Sequence, residues 1–335
     1  MRTYLLRRLA LLALVLVGVS LLTFTISHVI PADPARQAAG PRASDKQVQA
    51  LRHKLGLDRP LPEQYVNYMA GLLRGDFGYS LTSRRPVAED LKDHFPATIE
   101  LALAAMLLSL IVGIPLGVAS AVYKDSFLDH AGRVVCIAGV ALPIFWLALI
   151  FQLVFYRWLN IFPSGMRIAT GMMPPPAVTG LYTVDSVLAR NWPALASSLW
   201  HLAMPAIVLA FASLAWIARV TRTSVLETLG HDYVRTARSK GLTERSVVYR
   251  HVLRNALIPT VTLIGLQVGA LLAGVFLIEI IYSWPGIGFY TVNAVMALDF
   301  NAIMSTTLLV AVVYTLVNLV VDVIYVALDP RITYT

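Results

Sequence analysis

Residues 232–259 read Asp232-Tyr233-Val234-Arg235-Thr236-Ala237-Arg238-Ser239-Lys240-Gly241-Leu242-Thr243-Glu244-Arg245-Ser246-Val247-Val248-Tyr249-Arg250-His251-Val252-Leu253-Arg254-Asn255-Ala256-Leu257-Ile258-Pro259. The pattern predicts two short helices joined by a tight turn. Asp232 is expected to cap the first helix, Gly241 to take the left-handed conformation that ends it, and Thr243 to cap the second ahead of Glu244. Arg235, Arg238, Lys240, Arg245, Arg250 and Arg254 decorate these helices, while Tyr233, Ala237, Val248 and Val252 give them an apolar side. Apolar runs long enough to cross a bilayer lie before and after. The stretch is therefore a folded, basic knob held at a membrane between two spans, a shape suited to docking a protein by helix-in-groove contact with charge pairing at the rim.

The rest of the composition agrees. Of 335 residues, 57% are hydrophobic and 14% charged, against about 45–50% and 25% in soluble domains. The net charge of +8 is unevenly spread, which in a membrane protein reports orientation rather than nucleic-acid binding. The single cysteine, Cys136, lies in an apolar run, reads as a small buried hydrophobe and forms no internal disulfide.

Six spans are expected in an all-α membrane fold. The first, up to Ile30, follows Arg2, Arg7 and Arg8; at about 22 residues it is too long for a signal-peptide core, and no small-residue cleavage site closes it. Residues 31–96 form a polar but patterned extracytoplasmic cap. Ser44-Asp45-Lys46-Gln47 is a capping box, Val48, Leu51 and Leu55 share one face, and Gly56 ends that helix. A second helix carries Pro62 in its first turn and Tyr65, Met69 and Leu72 on one face, with Gly75 after it; Arg84 to Phe95 suggests a third. The remaining spans are placed at 97–123, 134–158, 199–218, 258–282 and 303–328 within a membrane domain of 97–328, with the knob at 219–257 and a tail at 329–335. Gly113, Pro115 and Gly117 mark a close helix approach, Pro143 interrupts the third span, and a long Pro-rich loop covers 159–198. Lys and Arg number three in the amino tail, two in the loop after span two, eight in the knob and one in the tail, against two in the Pro-rich loop and none in the last turn; the ten in segment 31–96 do not count, because segments longer than about 60 residues largely escape the rule. By the positive-inside rule both termini and the knob are cytoplasmic.

No Walker A, H-E-x-x-H, C-x-x-C or G-x-S-x-G motif occurs. The chain carries no recognisable nucleotide site, metal site or catalytic elbow, which leaves a membrane enzyme without the paired catalytic signature it would need. Uphill transport then draws on an ion gradient or on another protein. An ion-coupled carrier needs ionisable groups near mid-bilayer. Glu100 and His201 lie near span ends, and Glu279 and Asp322 are deeper; the set is thin. Glu279, Glu100 and Gln267 are candidates for the translocation pathway, with a structural partner to the turn near Trp284 as the other reading of Glu279, and packing or loop anchoring as that of Asp322.

These residues resemble the permease subunits of bacterial ABC importers, specifically the B-type membrane subunit of dipeptide, oligopeptide and nickel uptake systems. Ala237, Lys240, Gly241, Leu242, His251, Leu253, Arg254, Asn255, Ala256 and Pro259 resemble that family's EAA loop, whose opening Glu-Ala-Ala is here Arg235-Thr236-Ala237. Pro31-Ala32-Asp33-Pro34, Gly56-Leu57-Asp58-Arg59-Pro60, Gly75-Asp76-Phe77-Gly78-Tyr79-Ser80, Thr98-Ile99-Glu100-Leu101 and Ser283-Trp284-Pro285-Gly286-Ile287-Gly288 extend the likeness over nearly the whole chain. The resemblance implies a type I importer fold in a bacterial inner membrane. It further implies a second, homologous permease, two ATPase subunits that use ATP and Mg, an external solute-binding protein, and no cofactor on this chain. The coupling residues would be Asp232, Tyr233, Arg235, Ala237, Arg238, Lys240, Gly241, Leu242, His251, Arg254 and Asn255. The alternative is an ion-coupled secondary transporter.

Overall fold

The computed structural model describes residues 2–29, 34–40, 42–54 and 56–328, which are mostly helical, with one isolated antiparallel bridge between Tyr79 and Pro86. The helices are α1 (Arg2–Val29), α2 (Pro34–Ala39), α3 (Asp45–Lys54), α4 (Leu61–Leu73), α5 (Val87–Val122), α6 (Phe127–Ala141), α7 (Ile144–Phe151), α8 (Tyr182–Leu188), α9 (Trp192–Leu229), α10 (Asp232–Ser239), α11 (Glu244–Ser246), α12 (Leu253–Ile281), α13 (Ile287–Met296) and α14 (Phe300–Leu328). Two π-helical segments extend them: Gln152–Trp158 follows α7, and Val247–Val252 joins α11 to α12. Among the described residues five helices are long and apolar enough to cross a bilayer, or six if the bent pair at 127–158 is one span. Helices suit that setting because they satisfy every backbone polar group without water.

Contacts divide the chain into two units, Met1–Pro96 with Gly286–Leu316 and Ala97–Pro285 with Val317–Thr333. In the first unit the capping box forms as read: Ser44 N–H donates to Gln47 Oε1 at 2.9 Å and Gln47 N–H to Ser44 Oγ at 3.4 Å. Val48 is buried, and Gly56 ends the helix at φ +67; Leu55 lies outside the described residues. Tyr65 and Tyr68 of α4 pack on Phe24 of α1, with ring centroids 5.3 and 6.2 Å away. Two carboxylates tie the rest together. Asp299 accepts from Ser80 Oγ at 2.6 Å and Thr82 N–H at 3.0 Å, and Asp90 accepts from Tyr290 Oη at 2.9 Å. Helix α13, which carries Tyr290, replaces much of the short turn expected before the last span. The third cap helix expected over Arg84–Phe95 is not separate either. It forms the start of α5, since a change in polarity does not stop a helix that has no C-cap.

The second unit is built on α9. Its core joins Leu101 and Ala105 of α5, Leu147 and Ala148 of α7, Leu202, Met204 and Leu209 of α9, and Leu271, Val275 and Ile278 of α12. Small residues set the spacing, as expected at Gly113 and Gly117. A Cβ on Gly117 would stand 2.5 Å from the Ala218 carbonyl oxygen, and one on Gly139 would stand 2.5 Å from Ala215 Cβ. The backbones of α5 and α6 therefore lie directly against α9.

Three expected boundaries move. Residues 134–158 do not make one straight span: Leu142 and Pro143 are extended, and α6 and α7 meet at 111°. Proline disfavours helical geometry in the residue before it, which fixes the break here. Helix α9 overruns the expected span 199–218 at both ends. The expected junction between knob and fifth span at 257–258 does not exist, because the backbone is helical without interruption from Glu244 to Ile281 and Pro259 lies inside α12. Polar side chains point outward from these helices instead of ending them. Gly117→Ala is expected to lower stability by about 1–3 kcal/mol through overpacking. Thermal unfolding in detergent checks it, and an unchanged midpoint would refute the close-contact account.

Candidate functional site

The knob sits on its own apolar seat. Val234 and Ala237 of α10, three residues apart, face inward with Val247, Val248, Val252 and Ala256, and these pack on Val118 and Ala121 at the end of α5 and on Val225 of α9. Helical spacing places the charged positions on the other side: Arg235, Arg238, Lys240, Arg245, Arg250 and Arg254 are exposed. Tyr233 is the exception to the expected apolar side. It is exposed, stacks on His231 at 5.8 Å, and accepts from Asn255 Nδ2 at 2.9 Å, while Val234 and Val247 take the inward places.

The turn is fixed from three directions. Gly241 has φ +78, as its place after the helix requires, and Thr243 caps α11 by accepting from Ser246 N–H at 3.4 Å. Arg238 and Glu244 pair across the turn at 2.6 and 3.3 Å. Asp232 does not cap α10: the capping position is His231, without a side-chain bond, and Asp232 occupies the first helical turn, 3.6 Å from Arg235. Its charge still favours the helix N-terminus. Lys240 and Leu242 flank the glycine on the exposed side, His251 is half-buried, and Arg254 and Asn255 lie exposed where the knob runs into α12. Every expected knob residue except Ala237 and His251 is thus exposed, above a packed apolar base.

At the opposite end of the same helices, buried polar groups hold the second unit together. Glu100 is 5% exposed and Arg167, from the Pro-rich loop, also 5%. Arg167 donates to Glu100 Oε2 from Nη2 at 2.5 Å and Nε at 3.2 Å, and Glu100 Oε1 accepts from Thr183 N–H at 2.7 Å and Thr183 Oγ1 at 2.8 Å. The guanidinium lies 3.7 Å from the Tyr182 ring centroid and 5.7 Å from that of Trp284, whose Nε1 donates to the Ala97 carbonyl at 2.8 Å. Glu279 is fully enclosed and accepts from Thr98 Oγ1 at 2.6 Å. Gln267, nearer the middle of α12, accepts from Ser213 Oγ of α9 at 3.2 Å. The three pathway candidates therefore bond to this chain's own groups, with the two carboxylates grouped at one end and Gln267 apart from them. The side chain of Asp322 lies outside the described residues.

The loop 159–198 proves to be ordered, with a carboxylate at its centre that sequence reading passed over. Asp185 accepts from the N–H groups of Val178, Thr179 and Gly180 at 3.2, 2.8 and 2.9 Å, and from Thr179 Oγ1 at 2.8 Å. Burial alone would raise its pKa, but these donors outweigh burial and hold it below the ordinary carboxylate range. Val178-Thr179-Gly180 followed by an Asp five residues on was the available signal; one such turn among several Gly and Pro residues does not stand out.

Fold and site together define a polytopic, all-helical membrane protein that presents a basic knob between two of its long helices, α9 and α12. The chain belongs to the family of binding-protein-dependent transport system inner membrane components. That family's model matches residues 113–334, and its N-terminal companion matches 1–102. The chain is 47% identical over 321 residues to the probable D,D-dipeptide transport system permease protein DdpB of Escherichia coli strain K12, covering 96% of this chain and 94% of that protein. It is 42% identical to the dipeptide transport system permease protein DppB of the same strain, covering 100% and 99%. It is 36% identical to the glutathione transport system permease protein GsiC of Salmonella choleraesuis strain SC-B67, over the full length of both. The protein is a multi-pass permease subunit with the type I ABC importer membrane fold, and not itself an enzyme.

Two outcomes follow from the buried polar groups. Arg167→Met strands Glu100 and should cost about 3–5 kcal/mol, whereas Glu100→Leu with Arg167→Met should recover most of that loss; denaturant unfolding of the two variants checks it. The low pKa of Asp185 means that its stabilisation is complete above the unfolded value of about 3.9 and disappears as pH falls through the folded one. Asp185→Asn should therefore speed amide exchange at residues 178–180 at neutral pH, with the difference from wild type shrinking in acid.

Proposed function

We propose that this permease forms half of the translocation pathway of an ATP-driven importer for dipeptides and similar short peptides, and that residues 232–255 are its coupling element. The observation that carries the reading is the exposed basic ridge on a rigid apolar seat, continuous through α9 and α12 with the membrane-embedded helices. The peptide substrate is supported by the names of the relatives, dipeptide permeases at 42–47% identity and a glutathione permease at 36%. The Lys and Arg distribution favours a cytoplasmic knob and cytoplasmic termini.

In this reading the ridge enters a groove of an ATPase subunit. Tyr233 and Leu242 supply apolar contact, while Arg235, Lys240 and Arg254 pair with acidic groups at the groove's rim. ATP and Mg are held by two such ATPases, not by this chain. A homologous permease completes the pathway, and an extracytoplasmic binding protein delivers the peptide. Closure of the ATPase pair pushes the knob, and the Arg238–Glu244 clamp and the apolar seat make it move as one body. No flexible linker separates the knob from α12 to absorb that displacement. Alternating access follows as a shift between two states that ATP and solute bias differently. Glu100, Glu279 and Gln267 act from behind the pathway wall, holding α5, α9 and α12 in register.

The turn offers the test. Space around Gly241 is open, with nothing within 4 Å of an added Cβ, so a substitution there strains the backbone without a clash. Gly241→Val should place about 1–2 kcal/mol of strain in the turn. It should leave the chain folded and in the membrane while lowering peptide uptake per ATP hydrolysed. Uptake of labelled dipeptide alongside ATPase activity, in vesicles containing the copurified complex, reads this out; native coupling in Gly241→Val would refute the assignment.

A further inference from the structure

A groove of about 420 Å³ lies between the knob-side ends of α5, α6 and α9. One part of its lining is cationic, from Arg133, Arg219 and Arg222; another is apolar, from Ile137 and Val140, with Cys136 alongside. The positive charge exceeds what the protein neutralises. Asp129 is fully buried and takes Arg222 at 2.7 and 2.9 Å, and the same carboxylate lies 3.8 Å from Arg133. Among the described residues no carboxylate pairs with Arg219, whose guanidinium lies 5.7 Å from the Trp216 ring centroid. Asp129 thus serves two guanidinium groups, Asp125 adds negative charge only on the Arg222 side, and Arg219 is left without a carboxylate.

The groove's depth in the membrane follows from the chain. Helix α5 ends at Val122 and α6 begins at Phe127, so Arg133 is under two turns from the loop that joins them. Trp216, 38% exposed, and Tyr123, 61% exposed, flank this level, as aromatic side chains do where hydrocarbon meets headgroups. Ile137 and Val140 are 68% and 44% exposed and lie one and two turns further along α6 from Arg133. An unpaired Arg219 and a loosely paired Arg133 at headgroup depth, with apolar surface directly below them, match an anionic phospholipid better than a soluble anion or a peptide.

From this arrangement we infer that the groove is a binding site for an anionic phospholipid of the knob-side leaflet. The phosphate is held by Arg219 and Arg133, and an acyl chain lies along Ile137 and Val140. Arg222 is a positioning residue, since Asp129 occupies it. A lipid bound here bridges α6 and α9 immediately before the knob and ties the site to the composition of the leaflet.

Cys136, the chain's one cysteine, reports occupancy. The full-length chain is reconstituted in nanodiscs of phosphatidylcholine alone or mixed with phosphatidylglycerol, and the rate of Cys136 alkylation by N-ethylmaleimide is followed by intact mass. Phosphatidylglycerol should slow alkylation. Arg133→Gln and Arg219→Gln should each weaken the protection about fivefold, the change expected for one basic residue near an anionic surface; Arg219→Lys should keep most of it. Equal rates in the two lipids would overturn the site. So would protection that survives in the double Gln variant, or protection by inorganic phosphate in phosphatidylcholine discs, which would mark a soluble-anion site. Retention of phosphatidylglycerol by the wild type, and its loss from Arg219→Gln, in native mass spectrometry gives a second readout that does not depend on the cysteine.

Discussion

Helices α5 and α6 reach α9 only because glycine stands where they touch it. In hydrocarbon no hydrophobic force drives one apolar helix onto another, so association rests on close van der Waals packing and hydrogen bonds between helices. Gly117 and Gly139 bring backbones within the distance that a single methyl group would forbid. That contact fixes α9, and α9 fixes nearly everything else in its unit: the core that α7 and α12 complete, the apolar seat of the knob, and the wall of the groove beside Arg219.

The two ends of this packed body are held by different means. Beneath the knob itself the seat is mainly Val and Ala, and the knob's charges lie outside. At the other end the interior is ionic and hydrogen-bonded, with Glu100, Arg167, Asp185 and Glu279 enclosed and every one of them partnered. An apolar seat tolerates the knob's exposed face being gripped by another protein, because the grip does not compete with the groups that hold it. Buried ion pairs are poor sources of net stability but specific in geometry, and here they bring a long loop against the starts of the helices. Asp129 and Arg222 form a second such pair, between α6 and α9, close to where α9 leaves the membrane for the knob.

The sequence by itself determined the class of the molecule. Composition and the length of its apolar runs point to a polytopic helical membrane protein, since runs of about 20 apolar residues suit helices and not the shorter, alternating strands of a barrel. Local rules at 44–47, 56, 241 and 243 correctly placed a capping box, two left-handed glycines and a threonine cap, because each depends on a few neighbouring residues. The basic knob was legible for the same reason. Tertiary structure decided what depends on distant partners. Element boundaries at 96, 218 and 257 were misplaced because polarity marks a helix's surroundings and not its ends. The inward turn of Val234 in place of Tyr233 was settled by packing on α5 and α9, and the enclosure of Glu100 by Arg167 joins residues 67 apart in the chain. The ordered loop around Asp185 and the excess of guanidinium groups beside Asp129 likewise exist only where the folded chain assembles them, since no local spacing encodes a contact between helices.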